Sequence, residues 1–457
     1  MAMTGQAKPY NPALEAAVRL YEDIAREYTT ALKGTGVVFA PEDAERAHAK
    51  ELVRQLQEAG ARVRNAGASV VLGAISPACV ACTGDCRSQT LEISNNCHRD
   101  CYFCFNPNQE DFAYYCEHLY PWRKQLDKLA AEGQYTAVAL TGGEPMLYPE
   151  ETYAFFRRAR KHFPHAHLRL YTSGDILDAS SLAQLRDAGL DEIRFSVKQE
   201  DPPRVQEKVL ANMALAKDYI RYVMVEMPVI PGTAELMHGL LKRFDEIGVY
   251  SVNLLEFAYP LWNWEAFEDR GFTLKNPPFD VVYDYTYAGS LAVQDSEELA
   301  LELMLWAHEE GLSLGLHYCS LENKHRSQIR QMNSDFATIN PVYAFDFGDY
   351  FLKTIQVFGA DRARVRGALR LLGAKDYADD AANDSLSFNP RWYERVRKAC
   401  RASGEAVRFC VSTNVVVDKE GTPVIRELKV EEYEGEACPV DLTDATRHSD
   451  EAAGYKL

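Results

Sequence analysis

Short apolar runs alternate with longer amphipathic stretches through the middle of this chain. From about residue 88 onward, stretches such as YPEETYAFFRRARKHF repeat their apolar residues at a helical spacing. Between them lie seven short apolar runs, at 89–94, 136–141, 168–173, 192–197, 221–227, 251–257 and 312–318. Strands that alternate with helices at this spacing are typical of βαβ units and a parallel sheet. We therefore predict an α/β fold, a complete or partial (β/α) TIM-type barrel. An open doubly wound sheet is the alternative, because periodicity cannot show closure.

The flanking regions follow different patterns. Residues 12–34 and 40–60 each read as a helix that ends at a glycine. Beyond about residue 340 the alternation is lost, and helical patches precede two strand-like runs around a turn at 419–421. We divide the chain into an N-terminal helical region (1–75), a cysteine-rich segment with the barrel (76–340), an aromatic-rich insertion within it (257–295), and a small α+β C-terminal domain (341–457). The insertion and the last domain are candidates to close the barrel mouth; ordinary packing of the aromatics is the alternative.

Length and charge exclude several classes of protein. The 457 residues exceed one average domain, and 47% hydrophobic residues exclude a disordered or fibrous chain. A formal net charge of -17 argues against broad binding to nucleic acid or to anionic membranes. The longest apolar run, 69–81, falls short of the roughly 18 residues of a membrane span. We expect a soluble, cytoplasmic protein with neither nucleic acid nor a membrane as partner.

The cysteines point to metal. Of eleven, six lie between Cys79 and Cys104, and such clustering in a large chain is typical of metal sites rather than disulfides. Cys97, Cys101 and Cys104 follow the first strand at spacings that can hold three corners of a 4Fe–4S cluster. A structural zinc ion normally takes four ligands, and His98 is too close to Cys97 to complete a zinc site comfortably. The spacing favours iron–sulfur over zinc.

The second strand is followed by Gly142, Gly143 and Glu144, on the same carboxyl-terminal rim. Two glycines let a ligand approach the backbone closely, and the neighbouring carboxylate can hold an ammonium group. A plain Gly-Gly turn would be the simpler interpretation if the motif stood alone.

The two motifs together, over residues 88–260, resemble the radical S-adenosylmethionine (SAM) superfamily. The resemblance is closest to a poorly characterised group related to pyruvate formate-lyase activating enzymes, through segments such as LYTSG, VEMPVIPG and HYCSLENKHRSQIR. It implies that Cys97, Cys101 and Cys104 ligate a 4Fe–4S cluster whose open iron is chelated by the amine and carboxylate of SAM. The implied SAM-binding residues are Phe103 near the adenine, Gly142, Gly143 and Glu144 at the methionyl ammonium, and Thr172, Ser173, Ser196 and Lys198 at the ribose and carboxylate. For the last four, strand-end polar residues facing solvent are the alternative.

The resemblance also implies a reaction. The reduced cluster cleaves SAM to methionine and a 5′-deoxyadenosyl radical, which abstracts hydrogen from an organic substrate. A small metabolite is the first choice of substrate and a peptide or protein the second, with glycyl-radical activation third. The contrasting hypothesis is a non-enzymatic iron–sulfur or zinc scaffold. Glu144 argues against a scaffold, since electron transfer alone needs no ammonium site.

A second set of cysteines precedes the first strand. Cys79, Cys82 and Cys86 form another three-thiolate group, and Cys319 ends the seventh strand on the expected rim. Together they predict an auxiliary 4Fe–4S cluster, with structural zinc or no metal as alternatives. Cys319 could instead have a radical-accepting or covalent role, or simply be buried.

The electron donor should be of the flavodoxin or ferredoxin type. Because an acidic donor would meet a chain of net charge -17, docking needs a local basic patch. The basic residues after the seventh strand, His317, Lys324, Arg326 and Arg330, are candidates for this patch or for binding an anionic substrate. A solvated basic helix face is the alternative.

Overall fold

The computed structural model describes residues 10–42, 46–82, 87–260, 262–278, 281–283, 291–334, 340–402, 404, 406–419 and 422–443. Its helices are α1 (Pro12–Gly34), α2 (Arg46–Glu58), α3 (Pro77–Cys82), α4 (Phe112–Glu117), α5 (Trp122–Glu132), α6 (Pro149–His162), α7 (Ala179–Asp187), α8 (Pro203–Ala216), α9 (Ala234–Ile247), α10 (Trp264–Glu268), α11 (Ser296–Glu309), α12 (Leu321–Ser334), α13 (Asp361–Leu371) and α14 (Tyr393–Ala402). Its strands are β1 (Arg62–Arg64), β2 (Ser69–Leu72), β3 (Ser88–Glu92), β4 (Ala137–Thr141), β5 (His167–Thr172), β6 (Glu192–Phe195), β7 (Tyr222–Val229), β8 (Ser251–Glu256), β9 (Ala258–Tyr259), β10 (Leu291–Ala292), β11 (Gly315–Cys319), β12 (Ala344–Phe345), β13 (Leu352–Phe358), β14 (Tyr377–Asp380), β15 (Ser385–Phe388), β16 (Phe409–Lys419) and β17 (Thr422–Tyr433).

A nine-stranded sheet carries the first compact unit, which comprises described residues within 37–278 and 291–325. The strand order is β1-β2-β11-β8-β7-β6-β5-β4-β3, and the seven strands from β11 to β3 are parallel. These are the seven strands predicted from the apolar runs, so the predicted α/β class is confirmed. Among the described residues no pairing joins β1 to β3, so the sheet is open and corresponds to the partial form of the barrel.

Two strands that the pattern did not predict extend this sheet. β2 pairs antiparallel with β11, and β1 pairs antiparallel with β2. They cover the edge that β11 would otherwise expose, which leaves the parallel strands buried as such strands normally are.

The two faces of the parallel strands differ in chemistry. One face packs against the helices and belongs to a single apolar core that includes Leu168, Ile193, Val225, Leu254 and Leu316. The alternate positions of the same strands face the other way and form what we call the polar face, defined by Arg169, Glu192, Arg194, Glu226, Asn253 and His317.

Helix α3 lies against the polar face. Its Ala78 and Ala81 pack on Ala137 of β4. The hydroxyl of Ser76, just before the helix, donates to Glu192 at 2.6 Å. The helix therefore places Cys79 over the middle of the sheet.

The second compact unit contains described residues within 10–36, 281–283 and 326–443. Its antiparallel sheet has the order β14-β15-β13-β16-β17, with β12 paired to β13. Helix α1 packs here: Asn11 donates to the carbonyl of Phe358 at 3.0 Å, and Glu15 pairs with Arg408 at 2.9 Å. The two helices grouped into one N-terminal region by the sequence thus lie in different units. None of the described helices is both long enough and apolar enough to cross a bilayer.

Candidate active site

The cysteine loop follows β3. A turn hydrogen bond joins the N–H of Cys104 to the carbonyl of Cys101 at 3.0 Å, and the N–H of Arg99 donates to the sulfur of Cys97 at 3.4 Å. Burial raises the pKa of all three thiols, that of Cys101 to about 11, and Cys97 lies close enough to raise the pKa of both Cys101 and Cys104. A soft set of three thiolates fits an iron–sulfur cluster, whereas a structural zinc ion normally takes four ligands.

The Gly-Gly pair packs directly on the start of the cysteine loop. The N–H of Gly143 donates to the carbonyl of Ser94, and that of Glu144 to the carbonyl of Asn96, both at 2.8 Å. A Cβ on either glycine would collide with these backbone carbonyls, and Gly142 has a φ of +133°. The glycines are thus required by contact between two loops of this chain, a reason that the sequence did not reveal.

Glu144 is the centre of the hydrogen bonding at this rim. Its side chain is buried, 1% exposed. One carboxylate oxygen accepts from the N–H of Met146 at 3.0 Å and the hydroxyl of Thr172 at 2.9 Å. The other accepts from the N–H and hydroxyl of Ser173 at 2.6 and 2.7 Å. Three residues predicted to contact SAM, Glu144, Thr172 and Ser173, are therefore joined by direct hydrogen bonds.

An ionic group that the sequence analysis missed lies beside Glu144. Asp175 is 2.9 Å from His98 and 2.6 Å from the hydroxyl of Ser173, and Arg99 bridges Asp175 and Asp201. Burial raises the pKa of Asp175, but hydrogen bonds from Ser173 and His98 lower it below its usual value. The Ser173 hydroxyl has one proton, so it can donate a hydrogen bond to Glu144 or to Asp175 but not to both at once. The residues of the cysteine loop are thereby tied to the end of β5.

Lys198 follows β6 and faces the cysteine loop. Its ammonium group lowers the pKa of the Cys97, Cys101 and Cys104 thiols, which places it near all three. The same ammonium group lies 3.4 Å from the backbone carbonyl of Ser196. Ser196 itself is partly exposed. The structure thus brings Lys198 to the predicted rim.

The aromatic insertion packs on the cysteine loop. Phe103 lies 5.2 Å from Tyr102 and 6.0 Å from Phe257, between ring centroids. Trp262 donates to the carbonyl of Cys104 at 3.0 Å, and Asn263 to that of Tyr102 at 2.6 Å. Packing against the loop therefore accounts for the first part of the insertion; its aromatics within 279–280 and 284–290 lie outside the described residues.

The second cysteine set is gathered by α3 and β11. Cys79 and Cys319 are buried, and both Cys79 and Cys82 interact electrostatically with Cys319. Arg194 and Asn253 direct N–H groups at the sulfur of Cys79, at 3.2 and 3.4 Å. Asn323 donates to Cys319 at 3.2 Å. Cys86 lies outside the described residues.

The two buried thiols differ in acidity. Burial raises the pKa of Cys79, but Arg194 and His317 more than offset this and bring it down to about 6. Burial raises the pKa of Cys319 to about 12, against a smaller opposing effect of Lys324. N–H donors around soft sulfur ligands suit thiolates that bind metal, so the described part of this set fits a metal centre.

The prediction of a basic docking patch is wrong for three of its four residues. His317, Arg326 and Arg330 are buried, at 2%, 8% and 6% exposure. His317 lies 2.9 Å from Ser69 and 2.6 Å from Asn253, on the polar face. These residues form neither a surface patch nor a solvated helix face.

Comparison with known proteins agrees with the motifs. Residues 91–238 match the family model of the radical SAM superfamily, so the predicted resemblance is confirmed. A protein of Methanocaldococcus jannaschii, named as a proposed glycyl-radical enzyme activating enzyme, is 30% identical over 248 residues. The match covers 52% of this chain and 62% of that relative, less than two thirds of its length.

Two solved structures are more distant. SuiB of Streptococcus suis bound to precursor peptide SuiA is 13% identical, with a TM-score of 0.38 over 58% of this chain and 52% of that one. The enzyme anSMEcpe with bound AdoMet and Cp18Cys peptide is 19% identical, with a TM-score of 0.31 over 38% of this chain and 53% of that one. Neither likeness is strong enough to indicate a substrate.

Proposed function

We propose that this protein is a radical SAM enzyme that cleaves SAM reductively and abstracts hydrogen from an organic substrate. One observation supports the proposal above others: the Glu144 carboxylate is buried beside the three-cysteine loop, to which its own backbone N–H is bonded at Asn96. Electron transfer alone would need the cysteines but would not need a buried carboxylate held beside them.

The residues have distinct roles in this proposal. Cys97, Cys101 and Cys104 would hold a 4Fe–4S cluster, which supplies one electron to the sulfonium of SAM and so yields methionine and a 5′-deoxyadenosyl radical. Glu144 would accept the methionyl ammonium in exchange for part of its present hydrogen bonding. Lys198, whose charge is close to the thiols, would face the SAM carboxylate. Phe103 would line the adenine side.

The test is production of 5′-deoxyadenosine by anaerobically reconstituted protein supplied with SAM and dithionite. We expect product from the wild type and none from Cys101→Ala. Cys116→Ala, which removes a thiol of α4 outside both sets, is the matched control and should retain activity. Product formed by Cys101→Ala at the wild-type rate would refute the assignment.

A second cluster is the finer part of the proposal. Cys79, Cys82, Cys86 and Cys319 would hold an auxiliary 4Fe–4S cluster, supported by the proximity of Cys319 to Cys79 and Cys82. We expect roughly eight iron and eight sulfide per chain in the wild type and about four of each in Cys79→Ala. Cys116→Ala should match the wild type. Four iron atoms and one zinc atom per wild-type chain would instead show that the second cysteine set binds a structural zinc ion.

The substrate class has two candidates. A small metabolite is the first, and a peptide or protein is the second. Glycyl-radical activation is favoured by the name of the archaeal relative alone. It predicts a glycine-centred radical on a partner protein, detected by electron paramagnetic resonance after incubation with SAM and a flavodoxin or ferredoxin donor. Production of 5′-deoxyadenosine with no such signal would count against glycyl-radical activation and leave the metabolite and the other peptide substrates.

A further inference from the structure

Arg169 lies on β5 in the middle of the polar face and is 6% exposed. Its Nε has no hydrogen-bond partner, and no ion pair of this residue occurs in the part of the chain that the structure describes. The guanidinium lies 4.9 Å from the centre of the Tyr171 ring. A stack on an aromatic ring is thus the main contact of an almost fully buried cation.

The carboxylates near Arg169 are engaged by other groups. Glu192 bonds to Arg194 at 2.5 Å and to His167 at 2.8 Å. Glu226 pairs with Arg194 and accepts from Asn253 at 2.7 Å. The Arg169 guanidinium is close enough to lower the pKa of both carboxylates and of the Cys79 thiol, but it makes no hydrogen bond to any of them. Burying an N–H donor without an acceptor is unfavourable, so a position of this kind indicates a group that can bind a further anion.

The position of Arg169 relative to the rim suggests which anion binds. Arg169 and Tyr171 share one side of β5, and Ser173 directly follows the end of the strand, about 13 Å from Arg169 along the chain. Tyr171 is partly exposed although its strand neighbours are buried, and the Glu226 side chain is 18% exposed. Solvent therefore reaches the polar face below the Glu144 site.

We propose that Arg169 binds a carboxylate group of the substrate. This inference rests on the proposed function, since it places a substrate beneath the SAM site. A guanidinium presents paired N–H donors that match both oxygens of a carboxylate, and the low-dielectric surroundings strengthen that contact. The carboxylate of SAM has the same chemistry, but its expected partners lie near Glu144 and Lys198, at the rim.

The first experiment uses acetate as the probe on the cluster-free chain. Sodium acetate is compared with sodium chloride at equal ionic strength in thermal unfolding of the wild type, Arg169→Met and Arg169→Lys. We expect acetate to raise the melting temperature of the wild type, to raise that of Arg169→Lys less, and to leave that of Arg169→Met unchanged. An equal rise in Arg169→Met would overturn the proposal.

The second experiment separates a ligand site from a structural ion. Arg194→Met is the matched variant, because Arg194 lies on the same face but bonds to two carboxylates and Cys79. We expect Arg194→Met to lower the melting temperature strongly, whereas Arg169→Met should change it little, since no hydrogen bond or ion pair among the described residues is lost with Arg169. Equal losses in both variants would show that Arg169 is structural.

The third experiment distinguishes the two carboxylates. SAM affinity is measured by equilibrium binding to reconstituted wild type and Arg169→Met. Affinities within twofold of each other support a substrate carboxylate, and a tenfold loss in the variant would assign Arg169 to SAM and overturn the proposal. Failure of the proposed function is seen separately, as absence of 5′-deoxyadenosine from the wild type, whereas the acetate result needs no cluster.

Discussion

Replacing Glu144 by glutamine tests whether the buried carboxylate organises the rim before SAM arrives. The substitution keeps the shape of the side chain but turns one acceptor oxygen into an NH2 donor. In the present arrangement that oxygen receives both the N–H and the hydroxyl of Ser173. The hydroxyl can turn to Asp175, which is 2.6 Å away, but the N–H cannot.

The expected cost follows from these contacts. A buried N–H left without an acceptor costs about 1–3 kcal/mol. The bonds from Met146 and Thr172 survive but lose the charge of their acceptor, which removes roughly 1 kcal/mol from the pair. We therefore expect Glu144→Gln to lower the free energy of local opening at this rim by about 3 kcal/mol in the absence of SAM. Glu151→Gln is the control, because its carboxylate is 30% exposed and accepts from Trp122 and Arg123; it should cost at most about 1 kcal/mol.

Hydrogen–deuterium exchange of the cluster-free protein measures the effect locally. Since 1.4 kcal/mol corresponds to tenfold, the amide of Ser173 should exchange about 100-fold faster in Glu144→Gln, and that of Met146 should be accelerated less. Peptides from the antiparallel sheet of the second unit should be unchanged. Wild-type protection of both amides in this variant, or equal acceleration by Glu151→Gln, would refute the reasoning.

Two further predictions concern the same rim. Gly143→Ala should lower the free energy of unfolding by about 2–3 kcal/mol, because its Cβ would collide with the backbone at Asn96, whereas Gly239→Ala in the open middle of α9 should raise it by about 0.5–1 kcal/mol; urea midpoints that move alike would contradict this. The lowered pKa of Asp175 means that its charge contributes stability above the unfolded pKa of about 3.9, and that this contribution is lost as the pH falls through the lower folded value. Asp175→Asn should therefore flatten the acid dependence of urea unfolding between about pH 5 and 3, and an unchanged slope would show that the hydrogen bonds from Ser173 and His98 do not stabilise the charge.

The parallel strands could be predicted because each carries a short apolar run between helical stretches. The missed strands lack that signal. β2 lies inside the longer apolar run 69–81 and shares it with α3, so no boundary marks either element. β13, in the middle of the second sheet, is buried along its whole length and shows no alternation. Pattern reasoning finds a strand by its contrast with its surroundings, and these segments offer none.

The residues of the candidate site also fall into those that the sequence could predict and those that it could not. Cys97, Gly142 and Glu144 belong to spaced motifs and could be singled out from the sequence. Asp175 could not, because its contact with His98 joins residues 77 positions apart and depends on the register of the sheet. Arg169 could not be singled out for another reason. In a strand pattern, a charged residue that alternates with apolar ones is expected to face solvent, yet Arg169 is buried on the polar face.

The backbone contact between the Gly-Gly pair and the cysteine loop has a consequence for reading related sequences. The carbonyls of Ser94 and Asn96 leave no room for a Cβ at either glycine, whatever the neighbouring cysteines bind. A descendant that lost its cysteines, and with them the cluster, would still need both glycines to keep these loops together. Gly142 and Gly143 are therefore evidence of inherited architecture, and the cysteines together with Glu144 are the residues that indicate whether the chemistry is retained.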